Sequence, residues 1–210
     1  MSKTNPSALF LRLIGVDFPE KPLVVMCGLP ATCKTWAASL IARRHRLEHL
    51  RTDIIRTEIL KGEDIFDNKI ASDIQKRLKV YDVMFQKAEE LAPRSKGIIL
   101  DATFIKQALR ERAAEIASRN GMSFVLIHTD CRPEVALERI SKRSPDDYES
   151  NAVTDQAYYN NLKAFEPVDL ESLKNKFALL DMRYIRVETS EADPDRWVVV
   201  EDYYYKVKHE

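Results

Sequence analysis

The sequence predicts an α/β fold in which a parallel sheet carries helices on both faces. Three observations predict it. Short, nearly all-apolar runs recur, as in Leu23–Cys27, Ile98–Leu100 and Phe124–Ile127, and such runs suit strands buried on both faces. Between them lie stretches with apolar residues every three or four positions, the period of a helix packed on one side. The first apolar run leads through a glycine loop directly into a helical pattern, a strand–loop–helix unit.

Bulk properties narrow the class. A chain of 210 residues fits about one domain and can bury a substantial core. Lys+Arg and Asp+Glu both number 33, so the formal net charge is zero. That argues against a broad nucleic-acid-binding surface, while leaving room for a local basic groove. The three cysteines, Cys27, Cys33 and Cys131, have no paired spacing, which fits a reducing, cytoplasmic setting better than a disulfide scaffold. No window approaches the roughly 20 apolar residues of a membrane span, so no membrane association is expected.

Residues 1–21 read as a leader with a short helix near Leu9–Ile14, stopped by Pro19 and Pro22. Leu23–Cys27 is the first buried strand and Lys34–Arg44 the helix after the loop. Glu48–Thr52 reads as a strand, and Asp53 opens a helix through Leu60. Residues 70–92 are helical through Ile74, Leu78, Tyr81, Phe85, Ala88 and Leu91, and Pro93 and Gly97 close that helix. Ile98–Asp101 is a strand ending in a carboxylate, followed by a helix over 106–119 that Gly121 terminates. Ser123–His128 is a strand, Pro133–Arg143 a helix, and residues 144–154 a polar loop of mobile character. Gln156–Phe165 is helical. Tyr184–Val187 and Trp197–Val200 read as late strands, and the tyrosines at 203–205 as a terminal strand or packing tail. Residues 22–190 form the expected domain, with 191–210 packed on it.

The loop Gly28-Leu29-Pro30-Ala31-Thr32-Cys33-Lys34-Thr35 matches G-x-x-x-x-G-K-[ST] with Cys33 at the second glycine. Such a loop, Gly28 to Thr35, points its backbone N–H groups, Pro30 having none, at phosphate oxygens. Lys34 reaches the β- and γ-phosphates, and the Thr35 hydroxyl ligates Mg²⁺. Glycine serves where φ is positive, and a Cβ costs on the order of 1 kcal/mol there. Three readings of Cys33 stand side by side: a tolerated variant with somewhat weaker nucleotide binding, a fold that has lost catalysis, or an acidified, redox-sensitive thiol beside Lys34.

Other candidates follow the loop. Asp53 and Arg56 share a helix face; Asp53 is a candidate base for a substrate hydroxyl, and Arg56 a candidate contact for an anionic substrate group. Spacing alone favours the plainer reading, an N-cap and a solvated arginine. Asp101, at a strand end beside the loop strand, suits water-mediated Mg²⁺ binding. Arg139 and Arg143, four apart before the polar loop, can stabilise charge on a transferring phosphoryl group from a helical lid; alone they read equally as a charged helix exterior. The histidines show no metal spacing and read as structural.

Taken together, the P-loop, Thr52-Asp53-x-x-Arg56, Asp101-Ala102-Thr103-Phe104 and Arg139-x-x-x-Arg143 resemble the "predicted kinase" branch of AAA-domain P-loop phosphotransferases. That branch includes the kinase domain of phage polynucleotide kinase, zeta-type toxins and gluconate kinase. The resemblance covers about residues 22–190. It implies a three-layer α/β/α P-loop NTPase fold with a helical lid, using ATP and Mg²⁺. It implies that Asp53 activates an acceptor hydroxyl, that Arg56 contacts a substrate anion, and that Arg110 is a further substrate arginine. By the same resemblance Lys34, Arg139 and Arg143 stabilise charge, and Thr35 and Asp101 serve the metal. The expected activity is transfer of the ATP γ-phosphate to a hydroxyl of a small molecule, favoured slightly by the zero net charge, or to a polynucleotide 5′-OH. The alternatives are a nucleotide-binding regulatory module weakened by Cys33 and a toxin-like sugar-nucleotide kinase.

Overall fold

The computed structural model describes residues 2–3, 8–16, 18–59, 74–143 and 153–207. Its strands are β1 (Ser2–Lys3), β2 (Pro22–Cys27), β3 (Glu48–Arg51), β4 (Ile98–Asp101), β5 (Ser123–Asp130), β6 (Met182–Glu188) and β7 (Val198–Tyr205). The helices are α1 (Phe10–Val16), α2 (Lys34–His45), α3 (Thr52–Ile59), α4 (Ile74–Leu91), α5 (Gln107–Arg119), α6 (Pro133–Ser141), α7 (Asp155–Ala164) and α8 (Leu170–Lys176). The strands form one sheet in the order β1-β7-β6-β5-β2-β4-β3. β3, β4, β2, β5 and β6 run parallel, while β7 and β1 are antiparallel.

The expected parallel sheet is therefore extended by an antiparallel edge. The tyrosines at 203–205 belong to β7, where Tyr203 stands opposite Tyr184 in register and stacks on it at 6.2 Å between ring centroids. A buried bidentate pair ties the edge on: Arg183 Nε and Nη2 each donate to an Asp202 carboxylate oxygen at 2.9 Å.

β2 lies between β4 and β5 with all six residues buried. Alternation of side chains across the sheet divides its residues between two cores. Leu23, Val25 and Cys27 face α4 and α5 residues such as Met84, Phe85, Ala113 and Ala117. Val24 and Met26 face Ala37, Ala38 and Ile41 of α2. This second core also holds Phe10 and Ile14 of the expected leader and Trp197 of the late segment, all buried. α1 thus packs under the sheet. α8 has no counterpart among the sequence expectations: its seven residues are too few to show a helical period, although Asp169 caps it by accepting from Ser172 N–H at 2.8 Å.

The chain leaves β2 through α2 to the β3–β4 side and only later reaches β5 on the other side. A crevice opens where successive connections diverge in this way, outside the C-terminal strand ends. Arg51 of β3, Asp101 of β4 and Met26 of β2 stand at one level, and Gly28 begins the loop just beyond. The helix expected from 70 begins, within the described residues, at Ile74. Of the mobile loop expected at 144–154, residues 144–152 lie outside the described residues, as does the end of the third helix at Leu60.

Candidate active site

The loop after β2 is held in shape by its own side chains and by the floor beneath it. Gly28 has φ 140°, and a Cβ there would lie 2.3 Å from the Thr129 carbonyl oxygen, so only glycine fits. Its N–H donates to the Thr103 carbonyl at 3.1 Å. Thr32 Oγ1 donates to Leu29 O at 2.9 Å and lies 2.8 Å from Thr129 Oγ1. The Thr189 hydroxyl lies 3.3 Å from Thr32 O. Pro30, Ala31 and Thr32 are buried, so the loop is a packed turn. Thr129 and Thr189 were not legible as loop supports, because β5 and β6 reach the loop only through strand pairing.

Ala31 and Cys33 both take left-handed backbone conformations, with φ 64° and 59°. Cys33 is the N-cap of α2 and gives no side-chain cap. The first N–H groups of α2 therefore lack a side-chain acceptor at the loop, as anion binding at a helix start requires. Cys33 occupies a glycine-type conformation with a Cβ present, which costs about 1 kcal/mol. Its thiol pKa is raised: burial outweighs the positive charges of Arg139, Lys34 and Arg143. The acidified, redox-sensitive reading of Cys33 is thereby corrected, since desolvation exceeds the pull of nearby cations.

Lys34 is buried, and its Nζ donates to Leu29 O at 2.6 Å. Burial lowers its pKa, against the opposing charge of Asp101. Thr35 follows it in the first turn of α2, half-buried. Asp101 is buried at the end of β4, with Oδ2 3.2 Å from His49 Nε2. Its carbonyl accepts from Thr52 Oγ1 at 3.2 Å, which ties the start of α3 to the end of β4. His49 read as structural in sequence; the β3–β4 pairing places it on this carboxylate.

Asp53 lies in the first turn of α3. Burial pushes its pKa up to about 6; Arg56 opposes this, Asp101 adds to it, and Arg51 and Lys34 also oppose it. Asp53, Asp101, Lys34, Arg51 and Arg56 thus share one electrostatic neighbourhood. Arg56 Nη1 and Arg51 Nε are shielded from solvent and donate to no acceptor among the described residues.

The segment after Asp101 is fixed by a strained residue. Phe104 has φ 42° and is fully buried, an unusual conformation for a bulky side chain. Its N–H donates to the Tyr81 hydroxyl at 3.0 Å, and its carbonyl accepts from Arg110 Nε at 2.9 Å. Arg110 also donates to Gln107 Oε1 at 2.9 Å, Pro167 O at 2.9 Å and Glu166 O at 2.6 Å. The expected substrate contact at Arg110 is corrected: the side chain is fully buried, and four of its hydrogen bonds go to the protein.

Arg139 is likewise committed to backbone. Its Nη1 donates to Ala31 O at 3.2 Å, and its Nη2 to Thr189 O at 2.7 Å, Ser190 O at 3.4 Å and Glu191 O at 3.3 Å. Arg139, expected to stabilise a phosphoryl group, here braces the P-loop against the β6–β7 turn. Arg143 lies just beyond α6, where its charge acts on Lys34 and Cys33.

For Mg²⁺, the donor set fits. Thr35 and Asp101 offer oxygen atoms, the ligand type that the ion prefers. Among the described residues no cluster of three or more His, Cys, Asp or Glu side chains forms a metal cage, as suits an ion held mainly by phosphate oxygens and water.

This loop on this sheet defines a P-loop NTPase-like α/β protein, and the chain belongs to the AAA domain family, whose model matches residues 23–168. No curated protein matches the sequence. Among solved structures, a sugar kinase from Janibacter sp. is similar, with a TM-score of 0.57 and 20% identity over 85% of this chain and 90% of that one. A gluconokinase from Sinorhizobium meliloti is similar with a TM-score of 0.55 and 17% identity over 81% and 83%. Kti12 from Chaetomium thermophilum, in complex with ADP-AlF3, is similar with a TM-score of 0.52 and 17% identity over 75% and 96%. At these identities the likeness is one of fold. No described helix is long and apolar enough to cross a membrane.

Proposed function

We propose that this protein transfers the γ-phosphate of ATP to a hydroxyl group of a small molecule. The observation that carries the reading is the neighbourhood of Asp53. A carboxylate in the first turn of α3, its pKa pushed up to about 6, lies within electrostatic reach of the P-loop lysine and of Asp101 at the end of β4. Phosphoryl transfer asks for positioning, charge neutralisation and a modest base, and these residues supply each.

Ala31 to Thr35 hold the triphosphate through backbone N–H groups, Pro30 having none and the Gly28 N–H being taken by Thr103 O. Lys34 leaves Leu29 O and takes the β- and γ-phosphate oxygens. Asp53, ionised above pH 6, accepts the acceptor hydroxyl's proton as that oxygen bonds to the γ-phosphorus. The bond to the β–γ bridging oxygen breaks, and ADP leaves with the electron pair. Arg143 balances the charge that develops on the transferring group, while Arg139 keeps the loop in register. Thr35 and Asp101 would hold Mg²⁺, which when bound neutralises charge on the β- and γ-oxygens. The small-molecule acceptor is supported by the zero net charge and by the names of two structural neighbours, a sugar kinase and a gluconokinase.

The test is ADP release from Mg·ATP across a panel of polyols, sugars, sugar acids and nucleosides. Lys34→Ala should lower turnover by at least about 100-fold without loss of helical circular dichroism. Undiminished turnover in that variant refutes the assignment. The left-handed backbone at Cys33 favours one second reading, a binding module with little catalysis. Tight Mg·ATP binding with no transfer to any hydroxyl would select it.

A further inference from the structure

Resting on the metal role proposed for Asp101, we infer that His49 is a positioning residue for that carboxylate: its ring bond to Oδ2 sets the plane in which Asp101 serves Mg²⁺ on the nucleotide. The register of β3 and β4 pairs His49 with Ile99 and Arg51 with Asp101. Cross-strand partners, and residues two apart on a strand, share a face of the sheet, so His49 and Asp101 are diagonal neighbours on one face. That face carries α2: Ile99 and Met26, the partner of Asp101 on β2, both pack in the core that holds Ala37, Ala38 and Ile41. α2 packs against β3 and β4, and its first turn carries Lys34 and Thr35. His49 therefore meets Asp101 on the side of the sheet that bears the P-loop helix.

His49 Nε2 lies 3.2 Å from Asp101 Oδ2. An ionised carboxylate only accepts, so the ring N–H donates. The Asp101 side chain is 4% exposed and the ring 17%, which leaves solvent little room to replace that bond. Asp101 is held twice. Strand pairing and the Thr52 hydroxyl fix its backbone, and these bonds do not restrain rotation of the carboxylate; the ring bond does. Mg²⁺ keeps several waters and demands near-octahedral geometry, so a carboxylate that serves it through water has to be oriented. Groups that orient a metal's ligands from outside typically carry roughly 10–100-fold in metal affinity or activity. A histidine that merely filled the space under α2 would be exchangeable for an apolar side chain of its size. A positioning histidine is exchangeable only for a side chain with a donor at the same reach.

The experiment measures calorimetric binding of ATP to the full chain in excess Mg²⁺ and in EDTA; the ratio of the two affinities is the metal-dependent gain. His49→Leu removes the donor and keeps a side chain of similar bulk. It is expected to cut the gain about 10-fold, while ATP binding in EDTA, the control of fold, stays that of the parent. Should His49→Leu fail that control, His49→Asn, whose amide falls short of Oδ2, takes its place. His49→Gln, whose longer amide carries an N–H to Oδ2, should recover most of the gain. Asp101→Asn should lose most of the gain by itself, and His49→Leu added to it should cost nothing more, because a residue that acts through the carboxylate has no effect once the carboxylate is gone. The inference is overturned if the parent shows no metal-dependent gain, if the donorless variant matches the parent, if His49→Gln is no better than that variant, or if the losses at His49 and Asp101 simply add. No acceptor enters this measurement. A failure to phosphorylate any hydroxyl therefore ends the phosphotransferase reading alone, and the gain still decides the role of His49.

Discussion

At Cys33 the backbone takes a conformation that glycine adopts without strain, at φ 59° and ψ 24°. Cys33→Gly removes the Cβ and is expected to stabilise the protein by about 1 kcal/mol, read as a rise in Tm of a few degrees. Mg·ATP affinity should hold or rise; a clear fall would show that the thiol side chain itself supports the loop. Asp53 gives a pH signature with a defined sign. Its folded pKa is raised to about 6 from an unfolded value near 4. The proton-bound form is therefore favoured by folding, so its contribution to stability is complete below about pH 4 and lost as pH rises through 6. Activity runs the other way, because the base must be ionised, and kcat/KM should rise through pH 6 to a plateau. Asp53→Asn should abolish that rise along with most turnover. The stability difference between Asp53→Asn and the parent should shift in favour of the variant between pH 4 and 7, on the order of 2 kcal/mol. A flat difference would show that the Asp53 carboxyl is not desolvated in the folded protein.

Among the elements, the segment between β4 and α5 shows how a turn is held by side chains committed to backbone groups. Phe104 is kept in a left-handed turn by Tyr81 above its N–H and by Arg110 under its carbonyl. Arg110 also gathers the carbonyls of Glu166 and Pro167, joining α5 to the turn before α8. Arg110→Ala should destabilise by at least about 3 kcal/mol, since it leaves buried carbonyls without donors and a cavity behind. Denaturant unfolding measures this. A loss of activity with unchanged stability would return Arg110 to the substrate. In sequence, Arg110 and Arg139 look like any arginine of a functional motif; only their acceptors separate them from Arg56, whose Nη1 has none among the described residues.

On the scale of the whole molecule, the sheet is closed from both ends of the chain. Trp197, buried, lies 4.9 Å edge-on from Trp36 of α2 and 6.3 Å from Phe10 of α1, centroid to centroid, and its Nε1 donates to Glu191 O at 2.9 Å. It thus joins the early helix, the helix after the P-loop and the last strand. Trp197→Ala should cost about 3–5 kcal/mol and weaken Mg·ATP binding through α2. Thermal unfolding with and without nucleotide checks both, and a cost below 1 kcal/mol would place the terminal segments outside the cooperative unit.

The strand–loop–helix unit, the buried strands and the order of the helices were legible in the residues, because apolar periodicity and a glycine loop are local properties. Lys34, Asp53 and Asp101 could be picked out for the same reason: each stands at a junction that pattern marks. Pairing is not local. His49 on Asp101, Thr129 beneath the P-loop and the antiparallel Tyr203–Tyr205 edge depend on strands far apart in sequence meeting in register. Burial is not local either. It raises the Cys33 thiol and the Asp53 carboxyl alike, and it sets Arg110 inside the fold, on backbone carbonyls. By itself the sequence determined a phosphate-binding loop on an α/β sheet. The tertiary structure decided which charges are satisfied by the protein, because a donor's fate rests on acceptors that only folding brings near.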